Sequence, residues 1–115
     1  MKTISSLMFI LALFLPACSE ITNEELDPHQ SNVFDGHIIE IKGSRVLVVA
    51  GLTKDEATSM NEASLLEVEN PPDAVWFEVD SGSQYDVGDH IRVRYDGMDA
   101  SYPGQAEAEK VQIVQ

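Results

Sequence analysis

The residue with the clearest chemical potential is Cys18, the only cysteine of the 115-residue chain. It follows a Leu-Pro-Ala sequence at positions 15–17, which closes an apolar run that begins at Leu7. A lone thiol has no partner for a disulfide within the chain, and an unpaired thiol is a liability in an oxidising compartment. A single cysteine directly after an apolar run therefore indicates a role other than disulfide formation.

The first 17 residues have the features of a secretory signal peptide. Lys2 gives a positive start, and the apolar run that ends at Leu15 has about half of the roughly 20 residues that a membrane-spanning helix needs. Leucine at −3, the small Ala17 at −1 and cysteine at +1 resemble the bacterial lipobox, in which the thiol receives a diacylglyceryl group. The resemblance implies a signal peptide at 1–17, acyl chains such as palmitate on Cys18, and a lipid anchor on the extracytoplasmic face of the cell membrane.

The charge balance narrows the classes of partner. Aspartate and glutamate number 20 against seven lysines and arginines, which gives a formal net charge of −13. Such a surface repels phosphate backbones and anionic lipid headgroups, so nucleic acid is excluded as a partner and cationic partners are favoured. The length allows one domain, whose modest core does not require a disulfide or a metal ion.

The composition changes sharply near residue 33. Residues 18–33 are polar, acidic and interrupted by Pro28, with little apolar surface to bury. We interpret them as a lipidated, flexible tether whose polar part, fully extended, would reach roughly 50 Å. Residues 34–115 are then the folded domain.

Alternation of apolar and polar residues predicts β-strands through that domain. The predicted strands are Phe34–Lys42, Arg45–Ala50, Ala74–Val79, a strand starting after Val87-Gly88-Asp89, and Ala106–Val114. In the first strand Ile39 and Ile41 are expected to share a face. The second strand contains the continuous apolar run Val46-Leu47-Val48-Val49, so both of its faces are expected to be covered. A β-bulge near Glu109 and Lys110 would bring both halves of the last strand into register.

One short helix is predicted between the second and third strands. Thr53 and Glu56 have the spacing of a capping box, so the helix begins after Thr53. The stretch Leu65–Val68 is interpreted as a brief strand or a returning loop. These elements predict a mainly β fold, a small five- to six-stranded OB-like Greek-key barrel with one short helix after the second strand.

Five motifs occur in order along the domain: Gly36-x-Ile38, Val46-Leu47-Val48-Val49, Val75-Trp76-Phe77, Val87-Gly88-Asp89-x-Ile91-x-Val93 and Ser101-Tyr102-Pro103-x-Gln105-Ala106-x-Ala108. Their order resembles the YobA-like family of small lipoproteins of bacilli, and the Ser-Tyr-Pro segment is the most distinctive part. The resemblance implies a β-barrel of unknown function at a Gram-positive cell surface. It implies no catalytic residue and no cofactor.

Metal and catalytic chemistry have weak sequence support. The three histidines, His29, His37 and His90, lack the close spacing of zinc ligands, so no metal site is expected. Ser101 is not in a Gly-x-Ser-x-Gly elbow. A hydrolytic site of Ser101 with His90 and Asp99 is the least favoured alternative, and the chain is interpreted as not being an enzyme.

A binding surface is the remaining hypothesis for the domain. Trp76 alternates away from the predicted barrel core, so it faces a helix, a second small core or solvent, with a core position favoured. If it is exposed next to Tyr102, the two form an aromatic recognition patch. Ser101 and Gln105 belong to the same segment as Tyr102, which makes these four the candidate binding residues. We therefore predict a membrane-anchored, non-catalytic binding or accessory module for an unknown protein or cell-wall ligand. A surface sensor of a small ligand or cation is the alternative.

Overall fold

A computed structural model of the protein describes residues 20–115. The predicted signal peptide at 1–17 and the predicted lipid attachment at Cys18 lie outside the described residues. The strands of the described part are β1 (Glu20–Ile21), β2 (Val33–Lys42), β3 (Arg45–Val49), β4 (Ala74–Glu78), β5 (His90–Tyr95) and β6 (Gly104–Ile113). Two short helices, α1 (Lys54–Thr58) and α2 (Glu62–Leu66), connect β3 to β4, and a 3₁₀ turn at Gly82–Gln84 follows β4.

Five of the strands close into a barrel. Strand β2 pairs antiparallel with β3 and with β5, β3 pairs antiparallel with β4, and β4 pairs parallel with β6. Antiparallel pairing of β5 with β6 completes the ring, and β1 adds a short parallel strand to β6 on the outside. This arrangement confirms the predicted small OB-like barrel, with the helical segment after its second strand.

The barrel interior is one apolar cluster centred on the aromatic ring of Phe77. Val75 and Val79 lie on the same face of the chain as Phe77, and Ile91 and Val93 of β5 face them, as their alternation predicts. The other buried members are Ile38, Val46, Val48, Tyr85, Ala108 and Val111. Burial of the Tyr85 hydroxyl, together with the negative charge of Asp80, raises its pKa to about 12.

A second apolar cluster lies outside the barrel, between its wall and the two helices. Its buried members are Ile39, Leu47, Val49, Ala57, Leu65, Ala74 and Trp76. Alternate residues of β3 serve the two clusters, which explains why this strand is apolar on both faces.

The helical segment differs from the sequence prediction. Thr53 and Glu56 form the predicted capping box of α1, but Asn61 and Ser64 form a second one that starts α2. Leu65 is therefore helical and buried in the second cluster, and the predicted brief strand at this position is wrong. The asparagine cap restarts the helix after Met60, and the buried leucine holds it against the barrel.

A bulge in β2 overturns the prediction that Ile39 and Ile41 share a face. Ile38 is paired with Val48 and Glu40 with Leu47, so Ile39 is the extra residue. Ile39 consequently packs in the second cluster, whereas Ile41, beyond the bulge, packs against the cluster inside the barrel, as Ile38 does. One inserted residue reverses the side to which all later residues point.

The bulge predicted near Glu109 and Lys110 is present. Arg94 is paired with Lys110 and Tyr95 with Ala108, which leaves Glu109 as the unpaired residue of β6. The bulge lets the two halves of β6 both direct apolar side chains into the barrel, as the sequence required.

The segment before β2 is not a free tether from Glu20 onward. Strand β1 pairs with β6, and Leu26 is only 3% exposed. The Leu26 amide donates to Gln112 Oε1 at 2.8 Å, and Arg92 donates to the Leu26 carbonyl at 3.2 Å. The prediction of flexibility weighed the polar composition but not this single anchoring leucine. In the described residues no helix has the length and apolar character to cross a membrane.

Candidate functional site

The four residues predicted to bind a ligand line one cleft at the barrel wall, which we call the Trp76 cleft. Its volume is about 250 Å³. The lining consists of Trp76, Ser101, Tyr102 and Gln105 together with Lys42, Arg45, Glu62 and Pro103. Residues up to 63 positions apart in the sequence thus converge from four strands, one helix and the loop before β6.

Trp76 is the floor of this cleft and not an exposed patch. It points outward from β4 into the second cluster and is only 4% exposed. Its indole Nε1 donates to Glu62 Oε2 at 3.1 Å, which fixes the ring to α2. The core alternative for Trp76 is therefore correct, and the aromatic patch in its exposed form is not.

Two cations stand over the indole ring. Lys42 and Arg45 flank the Gly43-Ser44 turn between β2 and β3 and are paired with each other in register. Lys42 Nζ lies 5.5 Å from the centre of the Trp76 ring, and Arg45 Cζ lies 4.8 Å from it. Both distances lie within the range of about 6 Å for cation–π attraction.

The loop before β6 forms the opposite wall. The Tyr102 hydroxyl donates to the Pro72 carbonyl at 2.7 Å, and the Ser101 hydroxyl donates to the Pro103 carbonyl at 3.0 Å. Tyr102 is 43% exposed, yet burial and the neighbouring Asp73 raise the pKa of its hydroxyl, which stays protonated at neutral pH. Both hydroxyl oxygens keep lone pairs for a ligand's donors.

Of the two cations in the cleft, Lys42 lies near acidic side chains and Arg45 forms no ion pair with the described residues. Lys42 Nζ is 3.5 Å from Glu40 Oε2 and 3.8 Å from Glu62 Oε1. Arg45 takes part in none of the ion pairs found among residues 20–115. Glu78, its register partner on β4, instead accepts a hydrogen bond from the Ser44 hydroxyl at 2.8 Å.

A second cleft of about 220 Å³ adjoins the first along β4 and β6. It shares Arg45, Trp76 and Gln105 with the Trp76 cleft, and Glu78 and Glu107 complete its charged rim. Arg45 consequently stands where the two clefts meet.

Sequence reasoning missed Lys42, Arg45 and Glu62. A signal existed for the two cations, because they flank a two-residue turn and must lie opposite each other in the hairpin. No local signal connected Glu62 to Trp76, since their contact depends on how α2 packs against β4.

His37 and His90 line a separate cleft of about 360 Å³, whereas His29 is exposed and lies beside Asp27. The rings of His37 and His90 stack with centres 4.7 Å apart, and burial together with the charge of His90 lowers the pKa of His37. His90 Nε2 lies 3.0 Å from Asp35 Oδ1, and Arg92 Nε donates to Asp35 Oδ2 at 2.8 Å. Burial acts to raise the pKa of Asp35, but these two hydrogen bonds and charges outweigh it and lower the pKa.

This placement separates the residues of the imagined hydrolytic triad. Ser101 lines the Trp76 cleft and donates to a backbone carbonyl, whereas His90 is bonded to Asp35 beside the other cleft. Within residues 20–115, no three acidic, histidine or cysteine side chains are grouped so that they could hold a metal ion.

Comparison with known proteins gives a family and a fold. The sequence model of a family described as "Protein of unknown function (DUF3221)" matches residues 35–115. The crystal structure of a yobA protein from Bacillus subtilis is similar, with a TM-score of 0.59 and 17% identity, over 77% of this chain and all of that chain. The solution structure of B. subtilis YobA residues 21–120 is also similar, with a TM-score of 0.56 and 16% identity, over 81% of this chain and 90% of that chain. No curated protein sequence matches significantly.

Proposed function

Since this chain belongs to the DUF3221 family of proteins of unknown function, we propose a role for it as a membrane-anchored extracytoplasmic lipoprotein. In this proposal its barrel is a non-catalytic binding module, and the Trp76 cleft is the ligand site. The observation that carries the binding role is the convergence of Trp76, Ser101, Tyr102 and Gln105 on one cleft. The anchoring rests on the sequence around Cys18, since two or more acyl chains hold a protein firmly to a bilayer.

Replacement of Cys18 by serine is expected to abolish acylation, because a hydroxyl does not replace the thiol that receives the diacylglyceryl group. Cells fed an alkyne-tagged fatty acid would label the wild-type protein, whereas C18S would be unlabelled and either remain as the uncleaved precursor or be released by another route. Ser19→Ala, one residue further on, is the matched control and should be labelled normally. A C18S protein that still carried the tag and remained in the membrane would contradict the anchor.

A binding role for the cleft is supported by polar groups that can form further hydrogen bonds. The hydroxyl oxygens of Ser101 and Tyr102 have free lone pairs, and Gln105 is an exposed side chain on the same wall. The cleft is lined mainly by polar groups arranged around one aromatic ring, and polar groups that converge on one place can orient a ligand. A catalytic role has no comparable support, because the Ser101 hydroxyl contacts a carbonyl and not a base.

The chain contains a single tryptophan, so its fluorescence reports on this cleft alone. We expect a saturable change in Trp76 emission when the purified protein is titrated with at least one member of a panel of neutral sugars, amino acids, and small anions and cations. Gln105→Ala should weaken that binding roughly fivefold, the effect of one lost hydrogen bond of about 1 kcal/mol. Gln84→Ala, an exposed glutamine outside the cleft, is the matched control.

The same titration followed by the indole N–H signal in NMR gives an independent measurement, since that group is bonded to Glu62 within the cleft. If no member of the panel changes either signal, or if Gln105→Ala and Gln84→Ala behave alike, the cleft is not a binding site.

A further inference from the structure

We propose that the Trp76 cleft binds an oxyanion, a carboxylate or phosphate group carried by a small hydroxylated molecule, and that Arg45 is the residue that receives it. The inference rests on the proposed binding role of this cleft and assigns its ligand class. It runs against the net charge of the chain, which by itself favours cationic partners.

Within the part of the chain that the structure describes, Arg45 differs from the other two arginines in having no acidic partner. Arg92 is paired with Asp35 and Glu25, and Arg94 with Glu109. In a chain with 20 acidic and seven basic residues, acidic neighbours are abundant. An arginine without an ion pair among the described residues is therefore a local exception, and it occurs in a cleft.

The neighbours of Arg45 are arranged so that it stays available. Glu78 lies directly across from it in the sheet but accepts a hydrogen bond from Ser44. Glu62, the acidic residue that lines the Trp76 cleft together with Arg45, accepts the indole N–H. Each of these two carboxylates thus has another donor, and Glu107 of the adjoining cleft forms no ion pair with Arg45 within residues 20–115.

Trp76 holds the Arg45 guanidinium over its ring without accepting hydrogen bonds from the guanidinium N–H groups. A guanidinium over an aromatic face is attracted to the ring, while its N–H groups remain free for other acceptors. The ring is itself fixed, because it is buried in the second cluster and bonded to α2. A cation held in place before binding loses less conformational freedom when the ligand arrives.

The remaining lining suits an oxyanion on a polar carrier. Lys42 is 58% exposed, and its distances of 3.5 and 3.8 Å to glutamates exceed the roughly 2.7–2.9 Å of a charge-assisted hydrogen bond. It can therefore turn to a second oxygen of the ligand. Tyr102, Ser101 and Gln105 then face the hydroxyl groups of the carrier.

The volume of the cleft limits the size of the ligand. At about 250 Å³, it is slightly below the range of about 300–1,000 Å³ that drug-sized molecules occupy. A single sugar acid, or one phosphorylated polyol unit of a longer chain, is the size that fits.

The test is a titration of the purified protein, monitored by Trp76 fluorescence and by the indole N–H signal, with matched charged and neutral probes. Sodium galacturonate supplies a carboxylate and glycerol 3-phosphate a phosphate, and glucose and glycerol are their neutral counterparts. Sodium chloride corrects for ionic strength. We expect saturable binding of at least one charged probe and none of the neutral probes, and which charged probe binds more tightly identifies the source of the oxyanion.

Arginine variants test the assigned residue. Arg45→Gln should weaken binding of the charged probe about tenfold or more, whereas Arg45→Lys should be intermediate because it keeps the charge but loses the two-pronged geometry. Arg94→Gln, which removes an arginine on β5 outside the cleft, is the control and should bind normally. Thermal unfolding of each variant establishes that it is folded.

The outcomes separate this inference from the proposed function. Equal binding of glucose and galacturonate, or unchanged affinity in a folded Arg45→Gln variant, would overturn the oxyanion while leaving the cleft a binding site. Failure of every probe and of the neutral and cationic panel would overturn both.

Discussion

Phe77→Ala is expected to unfold the domain at growth temperature. The Phe77 side chain is completely buried at the centre of the barrel, with its ring centre 5.9 Å from that of Phe34 and 5.8 Å from that of Tyr95. Truncation of a buried phenylalanine removes about 3–5 kcal/mol because it leaves a cavity as well as losing apolar contacts. Small domains have only about 5–15 kcal/mol of stability in total.

Chemical denaturation of Phe77→Ala and Trp76→Ala measures this expectation against a neighbouring aromatic residue. Trp76→Ala should cost less, because one face of the ring borders the cleft and its cations and is not enclosed by the barrel. It should instead weaken ligand binding. Phe77→Leu is the conservative control and should lose only a fraction of the stability that alanine loses. Greater destabilisation by Trp76→Ala would mean that the second cluster, and not the barrel interior, dominates folding.

Gly36→Ala is expected to destabilise the domain by about 2–3 kcal/mol or more. A Cβ atom on Gly36 would lie 2.5 Å from the backbone oxygen of Val49 and 2.8 Å from its carbonyl carbon. Backbone atoms of a neighbouring strand cannot rotate away as the end of a side chain can. The strands must therefore separate, which is overpacking at the point where β2 joins both β3 and β5.

Gly97→Ala is the matched control, because nothing lies within 4 Å of its added Cβ atom. Its effect should stay within about 0.5 kcal/mol, as for most surface substitutions. Urea unfolding of both variants gives the comparison. If Gly36→Ala were as stable as Gly97→Ala, the close approach of β2 to β3 at this point would be wrong.

The strands could be predicted because successive side chains of a strand point to opposite faces, so the residue types on each face indicate what that face contacts. Val75, Phe77 and Val79 alternate with Trp76, and the structure assigns the two sets to the two clusters. The bulge at Glu109 could be predicted for the same reason, because the apolar residues of β6 change from even to odd positions at this point. The bulge at Ile39 was hidden, because consecutive isoleucines satisfy either register.

Other features depend on contacts that no local pattern records. The second helix requires Leu65 to find the outer wall of the barrel, and the attachment of residues 20–32 depends on a single buried leucine and on pairing of β1 with β6. In the candidate site, the four residues predicted from the sequence line the same cleft: Trp76, Ser101, Tyr102 and Gln105. The cations over Trp76 were overlooked because the solvent-exposed face of a hairpin gives no apolar signal.

The pairing of β1 with β6 changes how an anchored protein would move. Only Ser19 separates Cys18 from Glu20, the first residue of β1. From Cys18 to the start of β1 the chain can therefore extend only about 7 Å, at roughly 3.5 Å per residue. A barrel lipidated at Cys18 would therefore stay close to the lipid headgroups and have a restricted range of orientations relative to the membrane. It would search for its ligand by lateral diffusion in the plane of the bilayer, and would meet molecules that lie at the membrane surface before those deeper in the cell wall.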